Sequence, residues 1–265
     1  MKIAFVCLTR GYNHVSKYFD LINRNKSISK YMDLLNAENV IFHEGNIAVE
    51  QQDFIVSNSC PTKFINLKHI DNITAFKSER KCKSTSTIFE TNLSINFSTG
   101  YRHMCHFWTK DFIELVKDYD YIIRVDEDCV IKSFPINFMK RPFSFITPIF
   151  SGLDSDGVTI GLQETLTKFH QKFGTTEKTP LNACFLNPYT NVFIMNVEHF
   201  LKNTTFRDYI DFIDESDGIY INRWGDLPLL GYFILNFIDK DMYVRDTNIT
   251  YYHKSHDIEV NKKVL

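Results

Sequence analysis

The sequence predicts an α/β protein with a mixed, mostly parallel central sheet flanked by helices. Short apolar runs rich in β-branched and aromatic residues alternate along the chain with segments whose apolar residues recur every three or four positions. The clearest run, residues 121–125, ends abruptly at the carboxylates of Asp126 and Asp128. Alternating strands and helices form parallel sheets, and such sheets bind ligands at the carboxyl ends of their strands.

Length, composition and charge limit the class of protein. The 265 residues fit one large α/β domain, and 44% hydrophobic residues supply a sizeable core. A formal net charge of −2 lacks the basic excess of nucleic-acid-binding proteins. No apolar stretch reaches the roughly eighteen residues of a membrane span, and no signal-peptide cleavage site follows residues 1–8. We therefore expect a single domain over residues 1–265, soluble and cytoplasmic, that binds no nucleic acid and has no membrane span.

The first hundred residues have the pattern of a nucleotide-binding half. A predicted strand is followed by a turn at residues 9–13 and by helical spacing from Val15 to Ile22. That turn should lie at the carboxyl end of the first strand, where a base and ribose can be held. A polar excursion over residues 71–99 is interpreted as a surface insertion or a lid. The predicted strands of this half are residues 2–8, 40–43 and 63–67.

Residues 101–265 form the predicted metal and acceptor half. An amphipathic helix over residues 101–116 precedes the strand that ends at Asp126. Further predicted strands are residues 143–147 and 191–196, and further predicted helices are residues 162–173, 205–213 and 227–237.

Asp126 and Asp128 form the predicted metal site. One residue separates the two carboxylates where a buried strand leaves the sheet. They repel each other unless a cation lies between them, and oxygen ligands in this arrangement suit Mn²⁺ or Mg²⁺, with substrate phosphates completing the coordination. An acidic pair in a solvated turn is the alternative interpretation.

Residues 220–228, YINRWGDLP, form a second cluster. It combines the Arg223 cation, the flat face of Trp224 and the Asp226 carboxylate. Such a set can bind a sugar by stacking and hydrogen bonds, with Asp226 available as a base. Asp226 can also cap the helix predicted to follow it, and the two roles are compatible.

Four sequence blocks resemble a known family. They are YRHMCHF at 101–107, IIRVDEDC at 122–129, RWGDLP at 223–228 and ITYYH at 249–253. In order and spacing they are similar to blocks of the fungal Golgi α-mannosyltransferases of the Kre type. The resemblance covers residues 100–253 and extends only faintly to the first hundred residues.

The resemblance implies a single GT-A-type glycosyltransferase domain. Such an enzyme uses Mn²⁺ (or Mg²⁺) and moves a sugar from a nucleotide sugar to a glycan acceptor. The resemblance implies GDP-mannose as donor, and UDP-sugars remain open. The family's acidic pair falls on Asp126 and Asp128, and its terminal histidine, a metal ligand there, falls on His253.

The expected site residues combine this resemblance with residue chemistry. Arginine grips phosphate bidentately, which makes Arg10 and Arg102 candidates for the donor diphosphate. Asp226 is the expected catalytic residue. The expected donor-binding residues are Thr9, Arg10, Gly11, Arg102 and Asp126, and the expected acceptor-binding residues are Arg223, Trp224 and Asp226.

Two residues depart from the family pattern. Glu127 stands where the family has proline. Phe193, within PYTNVFIMN, stands where the family has a glutamate proposed as the nucleophile of a retaining reaction. The stereochemical course is therefore open, and an inverting reaction needs a carboxylate base, for which Asp226 is the first candidate.

Two other functions stay open. A catalytically degenerate module of the same fold, which only binds glycans or nucleotides, is favoured by the missing glutamate. A glycoside hydrolase needs two acids about 5 to 10 Å apart across a cleft, which Asp126 and Asp128 at one strand end suit poorly.

Overall fold

A computed structural model of the chain describes residues 1–76, 97–151, 154, 156–183 and 187–261. Most of the polar excursion predicted over residues 71–99 lies outside these ranges. The strands are β1 (Ile3–Thr9), β2 (Glu38–His43), β3 (Lys63–Asn66), β4 (Tyr121–Val125), β5 (Cys129–Ser133), β6 (Phe145–Thr147), β7 (Phe150–Ser151), β8 (Asn187–Pro188), β9 (Val192–Asn196), β10 (Tyr243–Arg245), β11 (Thr250–His253) and β12 (Ile258–Val260). The α-helices are α1 (Phe19–Leu35), α2 (Val49–Ser57), α3 (Thr99–His106), α4 (Phe112–Leu115), α5 (Leu162–Phe173), α6 (Val197–Lys202), α7 (Thr204–Glu215), α8 (Gly218–Asn222) and α9 (Asp226–Phe237).

The central sheet has seven strands in the order β10-β6-β9-β4-β1-β2-β3. β1, β2, β3 and β4 run parallel, β9 lies antiparallel between β4 and β6, and β10 runs parallel to β6. Parallel strands covered on both faces bury nearly every side chain, as Ile122, Ile123 and Val125 of β4 illustrate. The expected mixed, mostly parallel sheet is confirmed.

A second sheet of three antiparallel strands, β12-β11-β5, adjoins the carboxyl end of β4. β5 begins directly after the turn at residues 126–128, and its pairing with β11 places Cys129 opposite His253. Sequence analysis predicted none of these strands. They are only five, four and three residues long, which is too short for a hydrophobic period to identify them.

The helix predicted over residues 101–116 is interrupted by a π-helical segment at Phe107–Asp111, between α3 and α4. A π-turn adds one residue to the helix and changes which side chains point inward. Trp108 is buried with its ring 4.1 Å from Cζ of Arg124, and Asp111 accepts hydrogen bonds from the backbone of Thr74 and Ala75. The π-helical segment therefore contacts the sheet through Trp108 and a neighbouring loop through Asp111.

The other predicted elements are present with ends shifted by a few residues, except that α1, predicted from spacing between Val15 and Ile22, begins at Phe19 and continues to Leu35. One correction concerns Asp226, which is the first residue of α9, whereas Gly225 is the N-cap. Four cysteines, Cys7, Cys60, Cys105 and Cys129, are buried free thiols, and Cys82 and Cys184 lie outside the described residues. Within the described ranges no helix is long and apolar enough to cross a membrane. A single domain over residues 1–265 stays a prediction.

Candidate functional site

A cavity of about 740 Å³ lies at the carboxyl end of β4. Strand β4 leads into its acidic turn, β11 contributes His253, and the start of α9 contributes Asp226. Among the described residues, the lining carboxylates are Asp20, Asp126, Glu127, Asp128, Asp154 and Asp226, and the lining arginine and lysine residues are Arg124, Arg223 and Lys254. Because acids outnumber these cations, the cavity favours a ligand that brings positive charge with it.

Asp128 and His253 form the centre of the candidate metal site. The pairing of β5 with β11 brings His253 Nε2 to 3.3 Å from Asp128 Oδ2. Burial raises the pKa of Asp128, but hydrogen bonds from His253 and Ser255 outweigh it and hold the pKa at about 2. An ionised carboxylate beside an imidazole is a donor set that suits Mn²⁺.

Cys129 completes a group whose ligand atoms lie within 4.8 Å of one another, together with Asp128 and His253. Burial raises the pKa of the Cys129 thiol well above its usual range. Mn²⁺ and Mg²⁺ prefer oxygen ligands, and sulfur suits softer metals, so Cys129 fits the site poorly as a ligand. The residues that fit a divalent cation here are Asp128 and His253.

Asp126 lies beside this pair but faces a guanidinium. Its two carboxylate oxygens accept hydrogen bonds from Nε and Nη2 of Arg124, at 2.8 and 3.1 Å. Asn191 links the two parts of the site, since its Nδ2 lies 3.4 Å from both Asp126 Oδ2 and His253 Nε2. The structure thus brings all three predicted metal ligands to one cavity and pairs two of them directly.

Arg124 also binds Asp226, with Nη1 2.6 Å from Oδ2 of the carboxylate. The guanidinium is 3% exposed and lies against the Trp108 ring. Burial lowers the pKa of Arg124, but Asp126 and Asp226 outweigh burial and raise it, so the cation is permanent. One buried cation therefore fixes a carboxylate from β4 and a carboxylate from α9.

Arg223 lines the cavity, as the sequence predicts for an acceptor-binding residue. Its backbone is left-handed, with φ of 62°, which is uncommon for a residue other than glycine. Its guanidinium lies 2.8 Å from the Asp154 carboxylate and donates a hydrogen bond to the Tyr101 hydroxyl. These three side chains form a polar wall beside Asp226.

Trp224 does not present a stacking face to the cavity, contrary to the prediction. The side chain is 2% exposed, and its indole N–H donates to the carbonyl of Ile160 at 2.8 Å. Its ring packs so closely on Gly218 that a Cβ there would lie 2.1 Å from it. The change of direction at Arg223 sends one side chain to the cavity and the next into the core.

Arg102 is also placed away from the cavity. It is 4% exposed, does not line the cavity, and donates a hydrogen bond from Nη1 to the carbonyl of Tyr220 at 2.6 Å. The guanidinium joins α3 to α8. A contact between Arg102 and the donor stays a prediction.

The first turn meets the acidic turn through Glu127. The Glu127 carboxylate accepts hydrogen bonds from the hydroxyls of Thr9 and Tyr12. Arg10 is exposed and stacks on the Tyr12 ring at 5.2 Å, and Gly11 leaves no space for a side chain because a Cβ would lie 1.9 Å from the Asn46 carbonyl oxygen. Whether Thr9, Arg10 and Gly11 bind a donor stays a prediction.

Several residues that line the cavity were not predicted from the sequence, among them Asp20, Asp154, Tyr189, Asn191 and Lys254. Each is an ordinary polar residue whose position depends on distant pairing. Lys254 had a local signal, because it directly follows the ITYYH block. Phe193, two residues beyond Asn191, packs 4.8 Å from the Phe145 ring and is 1% exposed.

Curated relatives are mannosyltransferases. A family model for glycolipid 2-alpha-mannosyltransferase matches residues 164–262. The probable mannosyltransferase MNT3 of Candida albicans is 27% identical over 179 residues, which span 61% of this chain and 46% of that protein. The probable mannosyltransferase KTR3 of Saccharomyces cerevisiae is 28% identical over 166 residues, 54% of this chain and 39% of that protein. This chain spans less than half the length of either relative, and the resemblance drawn from four sequence blocks is confirmed.

Two solved structures share the fold. Core-mannan synthase A of Aspergillus fumigatus, in its Mn/GDP form, superposes with a TM-score of 0.74 over 96% of this chain and 74% of that one, at 18% identity. The mannosyltransferase Ktr4p of Saccharomyces cerevisiae, in complex with GDP, gives 0.77 over 95% and 70%, also at 18% identity. The expected GT-A-type fold is confirmed.

Proposed function

We propose that this protein is a metal-dependent glycosyltransferase that moves mannose from GDP-mannose to a hydroxyl group of a glycan. The observation that carries the proposal is the pairing of Asp128 with His253 at the wall of a cavity at the carboxyl end of β4. The names of the curated relatives support mannose, and GDP in the two similar structures supports the donor base. A soluble, cytoplasmic location stays a prediction.

Donor binding is assigned to the side of the cavity between Glu127 and His253. Asp128 and His253 would hold the cation, Mn²⁺ or Mg²⁺. A divalent cation bound there neutralises the negative charge that develops on a departing diphosphate. Thr9 ends β1 beside Glu127, and Arg10 and Gly11 follow it, which supports assigning these three residues to the base and ribose.

Sugar transfer is assigned to the region around Asp226. The bond between the anomeric carbon and the diphosphate oxygen breaks, and the diphosphate keeps the electron pair. The acceptor hydroxyl oxygen forms the new bond, and its proton passes to Asp226, the general base of an inverting reaction. Arg223 and the Tyr101 hydroxyl, beside Asp226, are placed to orient the acceptor.

A binding module of the same fold is the second candidate. Phe193 favours it, because an apolar ring packed in the core stands where the resemblance predicts a glutamate. A binding module and an inverting enzyme both bind the donor, but only the enzyme releases free GDP when an acceptor is present.

The test is a thermal-shift titration with GDP, UDP, GDP-mannose and UDP-glucose, each with and without Mn²⁺. A ligand of the native state raises the melting temperature by mass action. We expect GDP and GDP-mannose to stabilise the wild type only with Mn²⁺, and Asp128→Asn to lose that stabilisation. Asp53→Asn, on the exposed face of α2, removes the same charge away from the cavity and is the matched control.

Transfer is then measured as GDP released from GDP-mannose with mannose oligosaccharides as acceptors. Metal-dependent nucleotide binding without acceptor-dependent release supports the binding module. Stabilisation by nucleotide that depends neither on Mn²⁺ nor on Asp128 contradicts the metal site. Glycoside hydrolysis that persists in the presence of a chelator supports a hydrolase instead.

A further inference from the structure

Lys254 and Asp20 form an ion pair on the cavity wall. Lys254 Nζ lies 2.6 Å from Asp20 Oδ1, and the two side chains are 59% and 35% exposed. Asp20 comes from the first turn of α1, whereas Lys254 directly follows β11. Exposed ion pairs contribute little to stability, so this pair can open readily when a competing anion arrives.

Both arginines among the described residues of the cavity wall are buried and bind carboxylates. Arg124 is 3% exposed and binds Asp126 and Asp226. Arg223 is 9% exposed and binds Asp154. Among the described lining residues, Lys254 is therefore the lysine or arginine whose own side chain is largely exposed, so its charge can be redirected.

The backbone fixes Lys254 next to the metal pair. Its N–H donates to the carbonyl of Asp128 at 3.0 Å, and the next N–H, of Ser255, lies 3.3 Å from Asp128 Oδ2. A lysine ammonium on its flexible four-carbon stem can then turn from Asp20 toward a group bound at Asp128 and His253. The surrounding carboxylates repel an anion, so a diphosphate needs this cation in addition to the metal.

We propose that Lys254 is a donor-binding residue that contacts the diphosphate of the nucleotide sugar, and that Asp20 holds the ammonium when no nucleotide is bound. The inference rests on the proposed function and extends it. Donor binding exchanges one ion pair for another: the Lys254 ammonium leaves the Asp20 carboxylate and binds phosphate oxygens. The two partners of one ion pair therefore have opposite effects on nucleotide affinity.

The experiment measures the dissociation constant of GDP and of guanosine by calorimetry at saturating Mn²⁺. We expect Lys254→Gln to weaken the binding of GDP about tenfold, because one charge-assisted contact is lost, and to leave the affinity for guanosine unchanged. Asp20→Asn removes the competing carboxylate, and we expect it to tighten GDP by about threefold. Lys30→Gln is the matched control, because Lys30 is an exposed lysine of α1 that lines neither this cavity nor the neighbouring one beside Asp20 and Lys254.

The opposite signs distinguish this role from a structural one. An ion pair that only supports the fold predicts that Lys254→Gln and Asp20→Asn lower the melting temperature together and change GDP affinity in the same direction or not at all. That result overturns the inference, as does an equal loss of GDP affinity in Lys30→Gln. If wild-type protein binds neither GDP nor UDP with Mn²⁺, the proposed function itself fails. If it binds and Lys254→Gln binds equally well, only the role of Lys254 fails.

Discussion

Arg124 controls the geometry of two carboxylates with different proposed roles. Its guanidinium binds Asp126 through two nitrogens and Asp226 through the third. A planar fork of donors holds carboxylates in fixed orientations, which a lysine cannot do. The Asp226 carboxylate therefore lines the cavity in a defined position, as a proton acceptor needs.

Asp226→Asn tests that proton transfer. We expect the turnover number to fall by about 10² to 10⁴ because general-base catalysis is lost, while GDP binding with Mn²⁺ is retained. Initial rates of GDP release measure the turnover number, and calorimetry measures the affinity for GDP. Asp154→Asn is the control of similar location, and we expect it to raise the acceptor KM instead. Unchanged turnover in Asp226→Asn would contradict the assignment.

Cys129→Ala tests the composition of the metal site. Sulfur suits softer metals than Mn²⁺, so we expect Mn²⁺-dependent stabilisation by GDP to persist. Loss of the buried side chain should still lower the free energy of unfolding by roughly 1 kcal/mol. His253→Ala should abolish the Mn²⁺ effect, and thermal shift with a Mn²⁺ titration compares the two variants. Equal losses of Mn²⁺ affinity would identify the sulfur as a third ligand.

Helix α1 is attached to the central sheet by a buried cation. Arg24 is fully buried, and it donates to the carbonyls of Val6 on β1 and Val125 on β4, each at 3.1 Å. It also binds the side-chain oxygens of Asn25 and Asn39. The residue after Val125 is Asp126, so Arg24 fixes the strand end from which the acidic turn starts.

Arg24→Met should destabilise the protein by about 3 kcal/mol, because it leaves several buried oxygens without a donor. Urea unfolding measures the change, with Lys26→Met as the exposed control on the same helix. If Arg24→Met lowers the free energy of unfolding no more than Lys26→Met does, these oxygens have other donors in the variant.

Elements were predictable from the sequence where a pattern was long enough. The apolar run of β4 predicted a strand at its observed position, and the helical spacing of α5, α7 and α9 predicted helices at theirs. The positions of Trp224 and Arg102 were not predictable, because both depend on tertiary contacts with Ile160 and Tyr220. Their residue types suit both a binding surface and a core, and only the packed chain decides between them.

The metal pair was recognised through resemblance, since no local pattern joins Asp128 to His253. A four-residue strand carries too little periodicity to predict β11, and sequence alone does not give its pairing with β5. Asp126, Asp128 and Asp226 had local signals because each follows or begins an element with a clear pattern. Asn191 and Asp20 had none, and they enter the site only through the fold.

Distant parts of the molecule are joined by a buried charge cluster around His106. His106 Nε2 lies 2.9 Å from Asp214 of α7, and Nδ1 lies 3.5 Å from Asp111 of the π-helical segment. Burial alone lowers the pKa of His106, but the two carboxylates outweigh it, and the pKa is raised. Lys110 also binds Asp214, at 2.8 Å. The cluster connects the π-helical segment beside the cavity to the outer helices.

Stability should therefore depend on pH through His106. A raised pKa in the folded state means that protonated His106 stabilises the protein fully below its unfolded pKa of about 6.5, and that this contribution is lost as pH rises through the folded pKa. Urea unfolding of wild type and His106→Asn from pH 5.5 to 8.5 measures the difference. We expect the difference in free energy of unfolding between wild type and variant to become smaller as pH rises. A difference that does not depend on pH would contradict the linkage.

The late position of β11 has a consequence for how the protein is made. The ribosome synthesises the acidic turn and most of the central sheet before it reaches His253, so these parts can begin to fold while the metal pair is still incomplete. A chain interrupted before β11 would have the acidic turn but could not bind the cation in the same way. If Asp128 and His253 hold a cation as proposed, cation binding is a late step of maturation, and a cut that separates β11 from β5 would abolish it while leaving the central sheet in place.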